Sequence, residues 1–174
     1  MKYLLTILTV FAFITIGCDK NTTESNTDEI TEHSTVNVKT ATEYFNFANN
    51  SGSADASATH DIVFYVVQWQ PAPQAPVISD PRFRVMDGGS IAVINETNLE
   101  DITDVPASGE FITNFVSEFG EWYDETDAHV IVPYDNVYVV NTADGKFPAF
   151  EIVNYYDDQG ESGVFSIEWK YLSE

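Results

Sequence analysis

From residue 36 onward, apolar and polar positions alternate in short runs, and β-branched and aromatic residues fill many of the apolar ones. Such runs, bounded by Gly, Pro, Asn and Asp clusters, predict strands, because successive side chains of a strand point to opposite faces. Strands are expected over residues 35–39, 43–48, 61–69, 82–86 and 90–95, and in the C-terminal half over 130–132, 136–142, 149–156 and 164–171. Turns are expected at Asn49-Asn50-Ser51-Gly52, Asp87-Gly88-Gly89, Asp144-Gly145 and Gln159-Gly160. Asp144-Gly145 between two apolar runs is a hairpin signal, since glycine adopts the positive φ that the turn demands. Residues 70–81, QPAPQAPVISDP, carry four prolines. Proline lacks the N–H that a ladder needs, so this stretch is excluded from a central strand. One segment departs from the pattern: residues 110–119, EFITNFVSEF, space Phe111, Ile112, Phe115, Val116 and Phe119 at three and four. That spacing predicts a short helix crossing one end of the sheets. No repeat of solenoid or propeller period is present. The expected fold is therefore all-β, a single antiparallel β-sandwich-like domain with one short helix, over residues 36–174.

The N-terminus sets a compartment. Lys2 precedes an apolar run over residues 4–16. The run falls short of the roughly 20 residues a spanning helix needs, so residues 1–17 are expected to be a secretory signal peptide. Ending at Gly17-Cys18, the segment resembles the lipobox of bacterial lipoproteins, with Thr15 where that pattern prefers Leu, Val or Ile. The resemblance implies that Cys18 is lipidated and becomes the first mature residue; several acyl chains would anchor it firmly. Cys18 is the only cysteine, so no disulfide remains available. Residues 18–35 have few apolar positions and are expected to be a disordered acidic tether, with His33 a spectator in it.

The chain has 174 residues, 28 acidic against 7 basic, for a formal net charge of -21. Aromatic residues make up 14%, far more than an acidic disordered chain carries, so the charge must coat a folded body. Seven scattered cations cannot neutralise a phosphate backbone, which excludes nucleic acid as a partner. Enzyme chemistry finds little support. A nucleophile would need a base, and the histidines are only His33, His60 and His129. Gly160-Glu161-Ser162-Gly163 is one residue short of a G-x-S-x-G elbow and predicts a hairpin turn instead. The acids at Asp124, Glu125 and Asp127 and at Asp157-Asp158 do not match EF-hand spacing, and three separated histidines with one cysteine do not make a zinc site. A non-enzymatic domain is expected.

Residues 137–173, VYVVNTADGKFPAFEIVNYYDDQGESGVFSIEWKYLS, resemble the closing strands of the HmuY-like haem-binding lipoproteins of Gram-negative anaerobes. The matching features are an aromatic-apolar strand, Thr142-Ala143-Asp144-Gly145-Lys146, and the long hairpin through Tyr155-Tyr156 to Trp169 and Tyr171. Upstream, Tyr44-Phe45-Asn46-Phe47, the stretch from His60 to Phe64, RFRVMDGGSIAV over residues 82–93, Val105-Pro106-Ala107-Ser108-Gly109 and Gly120-Glu121-Trp122-Tyr123 fit the same family pattern more loosely.

The resemblance implies an outer-membrane, cell-surface carrier that binds haem b and passes it to a haem receptor. Haem iron is held by one or two axial side chains in an apolar and aromatic pocket. His129 lies in the region where the family carries one axial histidine, although two positions late. The family's second ligand comes from an insertion, and here only about ten residues separate Gly109 from Gly120, without His or Met. Met86 and His60 are the remaining ligand candidates, and Arg82, Arg84 and Lys146 are the candidates to meet the propionates. The alternative is a surface-interaction or glycan-binding lipoprotein that has lost haem ligation and uses Trp69 and the proline loop.

Overall fold

The computed structural model describes residues 29–118, 120–126 and 128–173. The signal peptide, Cys18 and the tether up to residue 28 lie outside the described residues. Twelve strands form: β1 (Thr31–Ser34), β2 (Glu43–Asn46), β3 (Ser51–Ser53), β4 (Ile62–Trp69), β5 (Ile78–Val85), β6 (Ser90–Ile94), β7 (Ile112–Thr113), β8 (Tyr123–Glu125), β9 (Ile131–Pro133), β10 (Val137–Asn141), β11 (Pro148–Tyr156) and β12 (Ser162–Tyr171). They pair antiparallel into a six-stranded sheet ordered β1-β12-β11-β10-β6-β7, a four-stranded sheet ordered β3-β2-β4-β5, and the hairpin β8-β9. The all-β expectation holds.

Alternation dictates two cores. The inward faces of the two large sheets bury Phe45, Phe64, Phe83, Phe150, Phe165 and Ile167 against one another. On the outer face of the six-stranded sheet, Leu99, Val137, Val139 and Leu172 form a second cluster with Phe111 and Phe147 packed on it. β10 lies between both, which explains why its first four residues, Val137 to Val140, are all buried. Val137 and Val139 face the second cluster, Tyr138 and Val140 the first. Pro81 sits in β5, the edge strand of its sheet, where a missing N–H is tolerated.

Three expectations are corrected. The helix over residues 110–119 does not form among the residues described there: Ser108–Glu110 is a single 3-10 turn, and Ile112–Thr113 is β7, paired with β6. At Asn114, whose φ of 55° is left-handed, the chain turns and changes sheet. Phe115 then accepts from the Val85 N–H, and the Ser117 N–H donates to Phe83, which covers the edge of β5. The four-residue spacing of Phe111 and Phe115 thus reflects one aromatic sent to each core, not one face of a helix. Second, the tether ends earlier than residue 35, because Thr31–Ser34 is an edge strand on β12. His33 is no spectator: its Nε2 meets the buried Glu43 carboxylate at 2.6 Å, and Glu43 also accepts the Val36 N–H. Third, residues 35–39 are not a strand. Their backbone follows β12 irregularly, through Thr35 N–H to Phe165 and Val38 N–H to Gly163.

Candidate functional site

A cleft of about 510 Å³ opens at the end of the sandwich where the β4–β5 hairpin closes. This lies in the ~300–1,000 Å³ range of small-molecule sites. Its walls come from segments far apart in sequence. The proline loop and the start of β5 supply Pro76, Val77, Ile78 and Ser79. The β8–β9 hairpin supplies Tyr123, Glu125, His129 and Ile131; Lys39 comes from the β1–β2 connection, and Tyr155 and Ser162 from β11 and β12.

Each side chain is placed by local chemistry. The β8–β9 turn is held by His129 N–H to Thr126 O and Thr126 N–H to Val130 O, and His129 takes a left-handed φ of 60°. That conformation is uncommon for a residue with a Cβ. The imidazole Nδ1 of His129 meets Glu125 Oε1 at 2.6 Å. A carboxylate against one ring nitrogen orients the ring and leaves Nε2 on the other side, the arrangement found behind metal-bound histidines.

Tyr155 reaches the cleft through a break in β11. Phe150 and Ile152 face the core, and strict alternation would send Asn154 after them. Register shifts on both sides of Asn154 put Tyr155 inside instead. Such bulges re-aim a side chain. Asn154 stabilises the irregularity by accepting the Tyr155 N–H and donating to Tyr156 O. Tyr155 is 1% exposed, packed on Trp122 and Phe165, and its hydroxyl is buried without a hydrogen-bond partner. Burial pushes its phenol well above the usual range. Tyr123 is pushed up to about 12, first by burial and then by the neighbouring Asp80. Asp80 is itself buried and bound to Arg82 Nε at 2.6 Å. Lys39 is the cation of the cleft, its ammonium donating to Ser162 Oγ.

The sequence-based candidates do not converge. His60 precedes Asp61 at the start of β4, with Nδ1 on Ala58 O at 2.8 Å and its ring against Tyr44. Met86 follows β5, its N–H donating to Asp61 O. That end of the sheet is separated from the cleft by the length of β4, eight residues or roughly 23 Å at ~3.3 Å per residue. One iron therefore cannot take donors from both His129 and either of these. Arg82 and Arg84 lie along β5, bound to Asp80 and, at 3.5 Å, to Asp87. Lys146 pairs with Asp144 at 3.3 Å and stands over the Tyr171 ring. None of the three lines the cleft, and each already has a carboxylate. Sequence reasoning missed Lys39 and Tyr155. The only signal for Tyr155 was the lapse of alternation over Ile152-Val153-Asn154-Tyr155.

The fold is an antiparallel β-sandwich with an aromatic core and an end cleft that offers one imidazole and one ammonium. The model of the HmuY protein family matches residues 39–169, and the chain belongs to that family. Among solved structures, a candidate lipoprotein from Bacteroides fragilis NCTC 9343 aligns with TM-score 0.59 at 15% identity, covering 86% of this chain and 94% of that one. Apo PinO from Porphyromonas gingivitis aligns with TM-score 0.54 at 13% identity, over 83% and 98% of the two chains. The apo HmuY analogue of Tannerella forsythia gives 0.52 at 11%, over 86% and 100%. At these identities the likeness shows the fold. No curated protein matches the chain significantly.

Proposed function

We propose that the protein binds haem b in the end cleft, where the Nε2 of His129 would hold the iron and Lys39 would meet the propionates. The observation that carries this reading is the Glu125–His129 contact at the cleft mouth: a histidine 87% exposed whose Nδ1 lies 2.6 Å from Glu125 Oε1, so that Nε2 is the ring nitrogen turned away from the carboxylate. The donor set fits a haem with one protein ligand. Apolar wall comes from Val77, Ile78 and Ile131 and from the Tyr123 and Tyr155 rings, and among the described residues no second histidine or methionine lines the cleft. Bound haem supplies the iron; the chain's own groups supply one donor nitrogen, a dry wall and a positive charge. The domain acts as a carrier and not a catalyst, lipid-anchored through Cys18 at the outer membrane or cell surface, delivering haem to a receptor. Family membership and the candidate lipoprotein among its structural relatives support this placement.

Haemin titration of the purified protein, followed at the Soret band, tests the proposal. Saturable one-to-one binding with a shifted band, weakened about tenfold or more in His129→Ala, is expected. A band that saturates identically in the variant removes His129 as ligand.

Trp69 supports a second reading, surface interaction or glycan binding, since its ring is 47% exposed where β4 enters the proline loop. Absence of saturable haemin binding together with glycan capture abolished by Trp69→Ala would favour it.

A further inference from the structure

The buried hydroxyl of Tyr155 is an anomaly that the haem-iron reading does not use. Buried polar groups are almost always paired, because an unpaired one forfeits its hydration. Here the contrast lies within a residue doublet. The Tyr156 hydroxyl accepts the Ile131 N–H at 2.7 Å and ties β9 to β11, while the Tyr155 hydroxyl has no partner among the described residues. Moreover, the chain breaks the regularity of β11 to bring Tyr155 there. A phenylalanine would fill the same space without leaving an orphaned oxygen.

We propose that Tyr155 is the anchoring donor of the cleft and gives its O–H to a carboxylate of the bound tetrapyrrole. The inference rests on the haem reading for the ligand's class but not on the iron. Burial keeps the phenol protonated and therefore a donor, not an anionic iron ligand. The adjacent Asp80 is not a free anion that would repel a carboxylate, because Arg82 neutralises it at 2.6 Å and Tyr123 Oη lies 3.5 Å from its other oxygen. Lys39 lines the same cleft and supplies the charge a carboxylate requires. The ligand class that follows is a flat, largely apolar ring system bearing a carboxylate, with the metal as an addition to the recognition and not its basis.

Metal-free protoporphyrin IX and its dimethyl ester separate these elements. Their fluorescence is titrated against the wild-type protein, Tyr155→Phe and Lys39→Ala, beside haemin. The expected result is that the wild type binds the free acid, that Tyr155→Phe and Lys39→Ala each weaken it about tenfold, and that ester binding changes less than twofold in either variant. Tyr155→Phe is expected to melt no lower than the wild type, since only an unpartnered oxygen is lost. Unchanged affinity for the free acid in Tyr155→Phe, with haemin still bound, overturns this inference alone. Equal weakening of acid and ester overturns the carboxylate assignment. Failure of the wild type to bind any tetrapyrrole, with or without iron, removes the haem reading and the inference with it.

Discussion

Replacing Trp122 by Phe tests how the cleft is supported. The indole is 1% exposed; its ring lies 4.7 Å from Tyr123, 4.9 Å from Phe165 and 5.8 Å from Tyr155. Its Nε1–H donates to Pro81 O at 2.9 Å, satisfying a carbonyl on the edge strand β5. Phenylalanine keeps the aromatic contact with a smaller ring, so roughly 40 Å² less apolar surface is buried, about 1 kcal/mol at ~25 cal/mol per Å². The orphaned Pro81 carbonyl adds about 1–2 kcal/mol. The sum, about 2–3 kcal/mol, corresponds for a domain of this size to a Tm lower by roughly 4–12 °C. Thermal unfolding by circular dichroism measures it, with Trp69→Phe as control: Trp69 is half-exposed, and its replacement is expected to move Tm by less than about 2 °C. The same variant is expected to weaken ligand binding, because Trp122 backs both Tyr123 and Tyr155. Equal shifts from the two tryptophans, or a Trp122→Phe protein as stable as the wild type, would refute the assignment of the β5 edge to the indole.

Three further outcomes are expected. Gly163 has φ +129°, and a Cβ there would collide with Asn37 Oδ1, which itself accepts the Lys39 N–H at 3.0 Å; Gly163→Ala should cost about 1–3 kcal/mol in denaturant unfolding and displace Lys39 enough to weaken ligand binding. Burial raises the Asp61 carboxyl despite the N–H of Phe47. The native state therefore holds that proton more tightly than the unfolded chain. The resulting penalty is absent below the unfolded value of about 3.9, grows as pH rises to the elevated native value, and stays in full above it. Asp61→Asn, which keeps an acceptor for Phe47, should raise Tm at pH 7 and lose that advantage by pH 4; a gain independent of pH would contradict the cause given. Finally, a chain of formal charge -21 repels a dicarboxylate at long range, so stopped-flow haemin association should quicken as salt rises from about 0.05 to 0.5 M, the reverse of electrostatic steering.

The strands β4, β10, β11 and β12 were legible because each is rich in β-branched and aromatic residues and is bounded by turn or loop signals. The proline loop was legible as a break. What sequence reasoning lost depends on partners distant in the chain. β1 reads TEHS, polar throughout, and becomes a strand only because β12 offers an edge and Glu43 a buried partner for His33. Phe111 and Phe115 have helical spacing but are drawn to opposite faces of one sheet. The cleft draws on five segments, from Lys39 to Ser162, so no local motif announces it. His129 was found through a family resemblance, whereas Tyr155 needed the bulge to be seen. His60 and Met86 stand at the end of the sheet opposite the cleft, a separation that sequence alone does not show.

The central claim is that a tetrapyrrole seats in the end cleft with its iron on His129. Crystallising the protein with haemin and locating the iron by anomalous scattering tests it most directly. The account predicts one iron peak within bonding distance of His129 Nε2, with the macrocycle against Val77, Ile78 and Ile131 and its propionates toward Lys39 and Tyr155. An iron peak at the far end of the sheet, beside His60 or Met86, or haem stacked on Trp69 with His129 still free, would contradict it.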